Sequence, residues 1–314
     1  GSIGVVTINL PRIAYISKSQ QEFNARLWRM VQTAKNSLEI KRKIIEDQTE
    51  RGLYPFSAHY LRDVKARTGQ YWYNHFNTIG IIGMNEAILN FYQDGSDLTT
   101  EKGQKFAIET MEYLRKLITD IQEETGHYYN LEATPAEGAS YRLAKLDRKK
   151  YPDIITAGER DSYYTNSTQL PVGYTDDIFE TMDLQDELQS MYTGGTVLHL
   201  YLGERISDIE VAKRLIRKIF NQYKLPYISL TPTFSICNEH GYISGEQFEC
   251  PVCGKETEVW SRVVGYLRPV KNFHKGKREE YRTRVKYVVP SSEVLAQAQL
   301  EEPASAAVAA RAAK

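Results

Sequence analysis

The sequence predicts an α/β fold built on parallel strands. Short apolar, strand-like runs recur along the chain, and long amphipathic stretches separate them. Connections of that length suit crossover helices, which bring successive strands side by side in the same direction. The C-terminal part is different in kind: all three cysteines of the 314-residue chain fall between positions 237 and 253.

Residues 5–10 read as a buried strand, followed by an amphipathic helix over 19–48. Residues 76–82 are the next strand, and a helix opens near Met84. A further helix spans 100–124, with Thr99 or Thr100 as N-cap and Glu101 in its first turn. Residues 128–133 are strand-like, and Pro135 is placed at the first position of the helix that follows. Residues 196–202 form a strand, 208–223 a helix and 227–230 a strand. Five such strands make an open sheet or half of a larger barrel. No internal repeat is evident. Residues 291–314, rich in alanine, glutamine and glutamate, read as a flexible tail.

Forty basic and forty acidic residues cancel, so the net charge does not point to a nucleic-acid partner. No run of about 18 apolar residues occurs, so no membrane span is expected. The opening residues lack a basic-then-apolar signal pattern. A strand beginning so near residue 1 suggests a piece of something longer, and Gly1-Ser2 is either native or a cloning scar.

Cys237-x2-His240-x9-Cys250-x2-Cys253 has the spacing of a zinc knot. Two short hairpins each supply two ligands for a tetrahedral ion, and Gly241 and Gly254 follow as the tight turns require. An odd number of cysteines in a chain of this size argues against a disulfide framework, and reduced thiols suit the cytoplasm.

Other features carry weaker signals. Thr134, Pro135, Ala136, Glu137 and Gly138 form a strand-to-helix turn whose free N–H groups suit a phosphate, or it is an ordinary turn with Thr134 as cap. The segment 80–86 is a similar small-residue turn without a nucleotide fingerprint. Gly194-Gly195 suggests a tight turn or a close backbone approach. His199, alone within its strand, reads as a satisfied core residue. Gly265, in Val263-Val264-Gly265-Tyr266-Leu267, is either a bulge or crowded packing point or a chemical site, because an α-carbon without a side chain can flatten on losing a hydrogen atom.

Several of these segments together resemble one family. Gly4-Val5-Val6-Thr7-Ile8-Asn9-Leu10-Pro11-Arg12-Ile13-Ala14, the 134–138 turn, Tyr164-Thr165-Asn166-Ser167, Tyr192-Thr193-Gly194-Gly195-Thr196, the metal knot and Arg262-Val263-Val264-Gly265-Tyr266-Leu267 are similar to the anaerobic (class III) ribonucleoside-triphosphate reductases, in order and in spacing. The similarity covers about residues 3–290 and only the C-terminal half of such an enzyme. It implies half of a ten-stranded glycyl-radical-enzyme α/β barrel over 1–233 and a zinc-binding and glycyl radical domain over 234–290. It implies that Gly265 stores a radical installed by an S-adenosylmethionine-dependent activase with an iron–sulfur cluster. The radical passes to a cysteine, whose thiyl takes the 3′-hydrogen of a ribonucleoside triphosphate, and the 2′-hydroxyl leaves as water. The 134–138 turn cradles the substrate phosphates, and formate or a small redox protein supplies electrons. The complete enzyme is expected to be a homodimer.

The metal knot claims all three cysteines, so none remains to carry the thiyl. The family places that cysteine, and its allosteric nucleotide sites, upstream of residues 4–14. The isolated chain is therefore expected to be inactive and to need an N-terminal half. His240 stands where many members have a fourth cysteine, a swap zinc tolerates. Two other readings stay open: a non-catalytic zinc-ribbon binding protein, and a glycyl-radical enzyme with another substrate.

Overall fold

The computed structural model describes residues 1–263 and 265–290; the expected 291–314 tail lies outside the described residues. The chain divides into two compact units. The first comprises Gly1–Pro171, Met191–Thr196 and Lys275–Glu279; the second comprises Val172–Ser190, Val197–His274 and the described residues from Glu280 onward.

The first unit holds a three-stranded parallel sheet of β1 (Ser2–Asn9), β2 (Phe76–Ile82) and β3 (Tyr129–Glu132), in that spatial order. Its helices are α1 (Leu10–Tyr15), α2 (Gln20–Glu50), α3 (Pro55–Tyr60), α4 (Arg62–Thr68), α5 (Met84–Tyr92), α6 (Glu101–Thr125) and α7 (Glu137–Lys150). Ser19 caps α2 by accepting from the Glu22 N–H, and Thr100 caps α6 by accepting from the Gly103 N–H. Along α2, Phe23, Leu27, Val31, Ala34 and Leu38 recur at helical spacing and are buried. This stripe packs on β1 and β2, and α6 packs on β3. Ile8, Ile79, Ile81 and Leu131 are buried, each contributing about 1.5–3 kcal/mol.

The opposite face of the sheet is chemically different. The register aligns Thr7 with Gly80 and Gly80 with Glu132, and Thr78 with Asn130. Residues in register share a face, so the Thr7–Gly80–Glu132 row of this one is small and polar. A parallel sheet is ordinarily apolar on both faces, so this row marks a place where stability has been given up.

Two helix starts differ from expectation. Leu10 opens α1 rather than closing the strand, because Asn9 caps that helix by accepting from the Arg12 N–H. Pro135 does not begin α7, which starts at Glu137 after Ala136 in a left-handed conformation, φ 44°. The cause lies in Thr134, whose side chain folds back over Gly80 and reaches Thr7, Oγ1 to Oγ1 3.2 Å. That holds the chain at the sheet and delays the helix.

In the second unit, α8 (Ile178–Ser190), β4 (Leu198–Leu202), α9 (Ile209–Gln222) and β5 (Ile228–Pro232) form a parallel β4–β5 pair with its helices. Ile178, Met182, Leu200, Leu215 and Ile219 are its core. The antiparallel sheet β7-β6-β8-β9 follows, from β6 (Phe234–Cys237), β7 (Gly241–Ser244), β8 (Glu258–Val263) and β9 (Tyr266–Pro269). A short 3-10 turn (Val270–Asn272) leads to α10 (Lys275–Thr283). The five predicted strands are all present and parallel to their neighbours, but as ladders of three and two rather than one sheet. No closed barrel forms among the described residues.

A Cβ at Gly80 would lie 2.3 Å from Thr134 Oγ1. Gly80→Ala is expected to lower stability by about 1–3 kcal/mol, read from the denaturant midpoint. Adding Thr134→Ala should recover part of the loss; no recovery would mean that this contact is not the cause.

Candidate phosphate turn and metal-braced glycine hairpin

In the first unit the strands end together and each runs into a helix, at Asn9, at Gly83 and at the 134–138 turn. Such carboxyl ends of parallel strands are where α/β proteins bind ligands. Helix α7 has no side-chain cap. The N–H groups of Glu137, Gly138 and Ala139 therefore lack the acceptor that Ser19 or Thr100 provides elsewhere, and they suit an anion. Pro135 and Gly138 are exposed, Thr134 is buried, and a Cβ at Gly138 would meet nothing within 4 Å. Gly194 and Gly195 lie against β3: the Gly194 N–H donates to Leu131 O (2.8 Å), and Gly195 O accepts from the Ala133 N–H (2.9 Å). A Cβ at Gly194 would lie 2.9 Å from Asn130 Nδ2, which is the close approach the paired glycines suggest.

The segment 164–167 straps these turns together. Thr165 O accepts from the Gly83 N–H (2.8 Å) and Ser167 O from the Met84 N–H (3.0 Å). The Ser167 hydroxyl reaches Ile81 O and Thr134 O, while Ser140 Oγ donates to Tyr164 O (2.7 Å). Two buried carboxylates anchor the strap. Glu86, 1% exposed, accepts from the Thr165 N–H (2.9 Å) and hydroxyl (2.6 Å). Burial pushes its carboxyl up, against the pull of those two donors. Asp147, fully buried, accepts from Asn9 Nδ2 (2.7 Å), Arg12 Nε (2.5 Å) and Tyr164 Oη (2.8 Å). Burial, and then the adjacent Asp147, push the Tyr164 phenol up, so it remains a proton donor. Nothing local marks Asp147, which sits in a lysine- and arginine-rich helix. Glu86 was detectable only as the acid in a helix's first turn after a small-residue corner.

In the second unit Cys237, His240, Cys250 and Cys253 converge, with their ligand atoms all within 4.8 Å of one another. Cys237 Sγ lies 3.8 Å from Cys253 Sγ and 3.7 Å from His240 Nδ1, and Cys250 Sγ lies 3.6 Å from His240 Nδ1. Zinc–sulfur bonds near 2.3 Å in a tetrahedron give sulfur–sulfur edges of about 3.8 Å, so the donor set fits zinc in chemistry and size. Gly241 and Gly254 take φ of 73° and 69°, turning the chain after each ligand pair. The N–H groups of Glu239 and His240, with the His240 ring, pull the Cys237 thiol down to about 6. Cys253 receives the Lys255 N–H yet is pushed up by burial and by the neighbouring sulfurs. Thiols this close share negative charge poorly without a cation.

Gly265 sits in the hairpin that joins β8 to β9, closed by the Val263–Tyr266 pair. It is exposed, a Cβ there would meet nothing within 4 Å, and its φ is outside the left-handed range. Crowding is therefore not the reason for a glycine. Arg262 braces the turn, donating from Nη1 to Gly265 O (2.7 Å) and from Nε to Thr231 Oγ1 (3.1 Å). Buried Arg284 donates to Arg262 O (3.3 Å), pairs with Glu280 (3.0 Å) and lies 3.6 Å over the Tyr201 ring. Tyr201 is pushed up to about 12 by burial. His199 lies within β4 and hydrogen-bonds Ser229 (2.6 Å), consistent with a structural histidine.

A parallel strand-end site and a metal-ribbon hairpin define a two-part α/β protein. The family described as anaerobic ribonucleoside-triphosphate reductase matches residues 1–287. The chain is similar to the anaerobic ribonucleoside-triphosphate reductase of Haemophilus influenzae, with 29% identity over 91% of this chain and 43% of the relative. It is similar to that of Enterobacteria phage T4, with 24% identity over 91% and 49%. Among solved structures it resembles an anaerobic ribonucleotide reductase, with TM-score 0.75 and 28% identity over 91% of this chain and 45% of that one. It also resembles the Thermotoga maritima anaerobic ribonucleotide reductase in complex with dATP and CTP, with TM-score 0.72 and 27% identity over 89% and 45%. The chain belongs to the anaerobic ribonucleoside-triphosphate reductase family, a family of oxidoreductases. It spans less than half the length of these relatives.

The protein should carry one zinc ion, measured by elemental analysis, and Cys250→Ser should lose most of it. Chelation should expose the amides of β6 to β9 to hydrogen exchange, since metal binding and folding are coupled in such ribbons. Unchanged exchange after metal removal would contradict this. Gly265→Ala should alter stability by less than about 0.5 kcal/mol, because the added methyl meets open space.

Proposed function

We propose that this chain is the radical-storing, phosphate-holding part of an anaerobic ribonucleotide reductase. Gly265 holds the stored radical, and the 134–138 turn holds the phosphates of a ribonucleoside triphosphate. The observation that carries this reading is the hairpin at Gly265. A glycine that neither crowding nor φ demands is held by Arg262 through its own carbonyl. An exposed α-carbon suits removal of a hydrogen by a separate activase, and the flanking amides delocalise the unpaired electron. Cys237, His240, Cys250 and Cys253 hold a structural zinc that stiffens this module.

The three thiols are committed to the knot, so the thiyl cysteine comes from an N-terminal half, which completes the ten-stranded barrel. The radical-SAM activase, formate or a small redox protein as reductant, and a homodimer of the complete enzyme follow from the same reading. A solved relative in complex with dATP and CTP supports a nucleotide as the ligand of such an enzyme. No described helix is long and apolar enough to cross a membrane, and the cysteines form no disulfide; we place the protein in the cytoplasm. The zinc-ribbon binding reading has no comparable support among the relatives.

The test is anoxic reconstitution of this chain with the upstream half, activase, S-adenosylmethionine, CTP and formate. Deoxynucleotide should form, and Gly265→Ala should abolish it while leaving the fold and zinc intact. Turnover that survives Gly265→Ala would refute the assignment. Gly138→Asp puts a carboxylate at a helix start, where it favours the helix but repels phosphate. It should raise KM for CTP roughly tenfold, about 1.4 kcal/mol, without lowering stability. An unchanged KM would remove the phosphates from this turn.

A further inference from the structure

Arg262, one residue short of the end of β8, carries a charge that no acid answers. Both of its described side-chain hydrogen bonds go to uncharged oxygens: Nη1 donates to Gly265 O (2.7 Å) and Nε to Thr231 Oγ1 (3.1 Å). Among the described residues it pairs with no carboxylate. Its neighbour Arg284 is the contrast, a buried guanidinium paired with Glu280 (3.0 Å).

The charge is held in place from behind. Thr231, 1% exposed on β5, lies 3.3 Å through its hydroxyl from Ser229 Oγ. Ser229 Oγ in turn lies 2.6 Å from Nδ1 of His199, its register partner on β4. One assignment of protons satisfies the whole row. Arg262 Nε–H donates to Thr231, the Thr231 hydroxyl to Ser229, and the Ser229 hydroxyl to His199 Nδ1. Arg284 fixes the main chain of the same residue, donating to Arg262 O (3.3 Å). Backbone and guanidinium are therefore both anchored, and the free end of the fork is aimed at the Gly265 carbonyl.

That carbonyl is half of what makes a glycine α-carbon a stable radical site. The amide nitrogen on one side gives electron density, and the carbonyl on the other takes it. A cation on the oxygen makes the carbonyl a better acceptor, so more of the spin leaves the α-carbon. Charge-assisted hydrogen bonds are about twice as strong as neutral ones, and a charge already in position needs no reorganisation when the radical forms.

Resting on the assignment of the radical to Gly265, we propose that Arg262 is a positioning residue that prolongs the life of the stored radical by polarising the Gly265 carbonyl. Thr231, Ser229 and His199 form the row that aims it. No bond is made or broken at Arg262, and its protons stay on the guanidinium.

The test uses the reconstituted enzyme, activated without oxygen, because a fixed charge acts most strongly where water is excluded. Electron paramagnetic resonance reads the half-life of the signal and the doublet splitting from the remaining α-proton. Arg262→Gln removes the charge. It should shorten the half-life roughly tenfold and widen the doublet, as spin returns to the α-carbon. Arg262→Lys keeps a cation with a different shape, and should hold the half-life within about threefold of the parent. Thr231→Val removes the aim and keeps the charge, so its half-life should fall between those of the parent and Arg262→Gln.

An unchanged splitting in Arg262→Gln would overturn the proposal whatever the half-life, since a mere brace leaves the spin density where it was. If the glutamine variant takes up no radical, Arg262→Lys decides. A loaded lysine variant with the parent's splitting supports the role of the charge; an empty one overturns it in favour of recognition by the activase. Gly265→Ala keeps the two readings apart. A signal that survives it removes the radical from Gly265 altogether. A signal that it abolishes, with the parent's splitting kept in Arg262→Gln, leaves Gly265 standing and removes the role of Arg262.

Discussion

The strand-end site depends on two carboxylates that the fold buries and then satisfies. Asp147 and Glu86 are taken out of water at positions where an ionised acid is expensive. They are tolerable only because Asn9, Arg12 and Tyr164 donate to one and Thr165 donates to the other. Through these bonds the 164–167 strap joins the ends of the three strands to the starts of α1, α5 and α7. Removing one donor would leave a buried charge short of partners, which costs more than the bond itself contributes. The network therefore fixes geometry more than it adds stability.

The hairpin unit solves a different problem with different means. The β6–β9 sheet is short: β6 and β8 bury every second residue, and β7 and β9 bury none. Stacked Phe234 and Trp260, with ring centroids 6.2 Å apart, and Tyr242 beside Phe234 supply a small apolar contribution. A metal ion held by Cys237, His240, Cys250 and Cys253, as proposed, would supply the rest of the constraint. At the hairpin, Arg262 and Arg284 hold the main chain by its carbonyls and leave the α-carbon of Gly265 clear. A backbone held at its oxygen and open at its carbon is well suited to storing an unpaired electron there.

Much of this was legible in the sequence where the signal is local. Thr100 as a cap, the strand at 76–82 and the ligand spacing of the knot each depend on residues a few positions apart. Asp147 and Glu86 were not legible, because a charged residue on a helix reads as solvated until a distant loop docks over it. Thr165 lies 79 residues from Glu86. Pro135 was misplaced for a related reason. The preference of proline for a first helical turn is real, but a contact between Thr134 and Gly80 decides where α7 begins. The split of five strands into ladders of three and two also escapes periodicity, which reports that a segment is a strand and not which neighbour it pairs with.

The central claim is that Gly265 carries the radical, and the most direct measurement locates it covalently. A backbone α-carbon radical combines with dioxygen and the chain is cut at that residue. The reconstituted enzyme, activated without oxygen and then exposed to air, should yield fragments whose masses place the break at Gly265, in proportion to the radical signal seen beforehand by electron paramagnetic resonance. A strong signal with the chain intact, or cut at another glycine, would contradict the account.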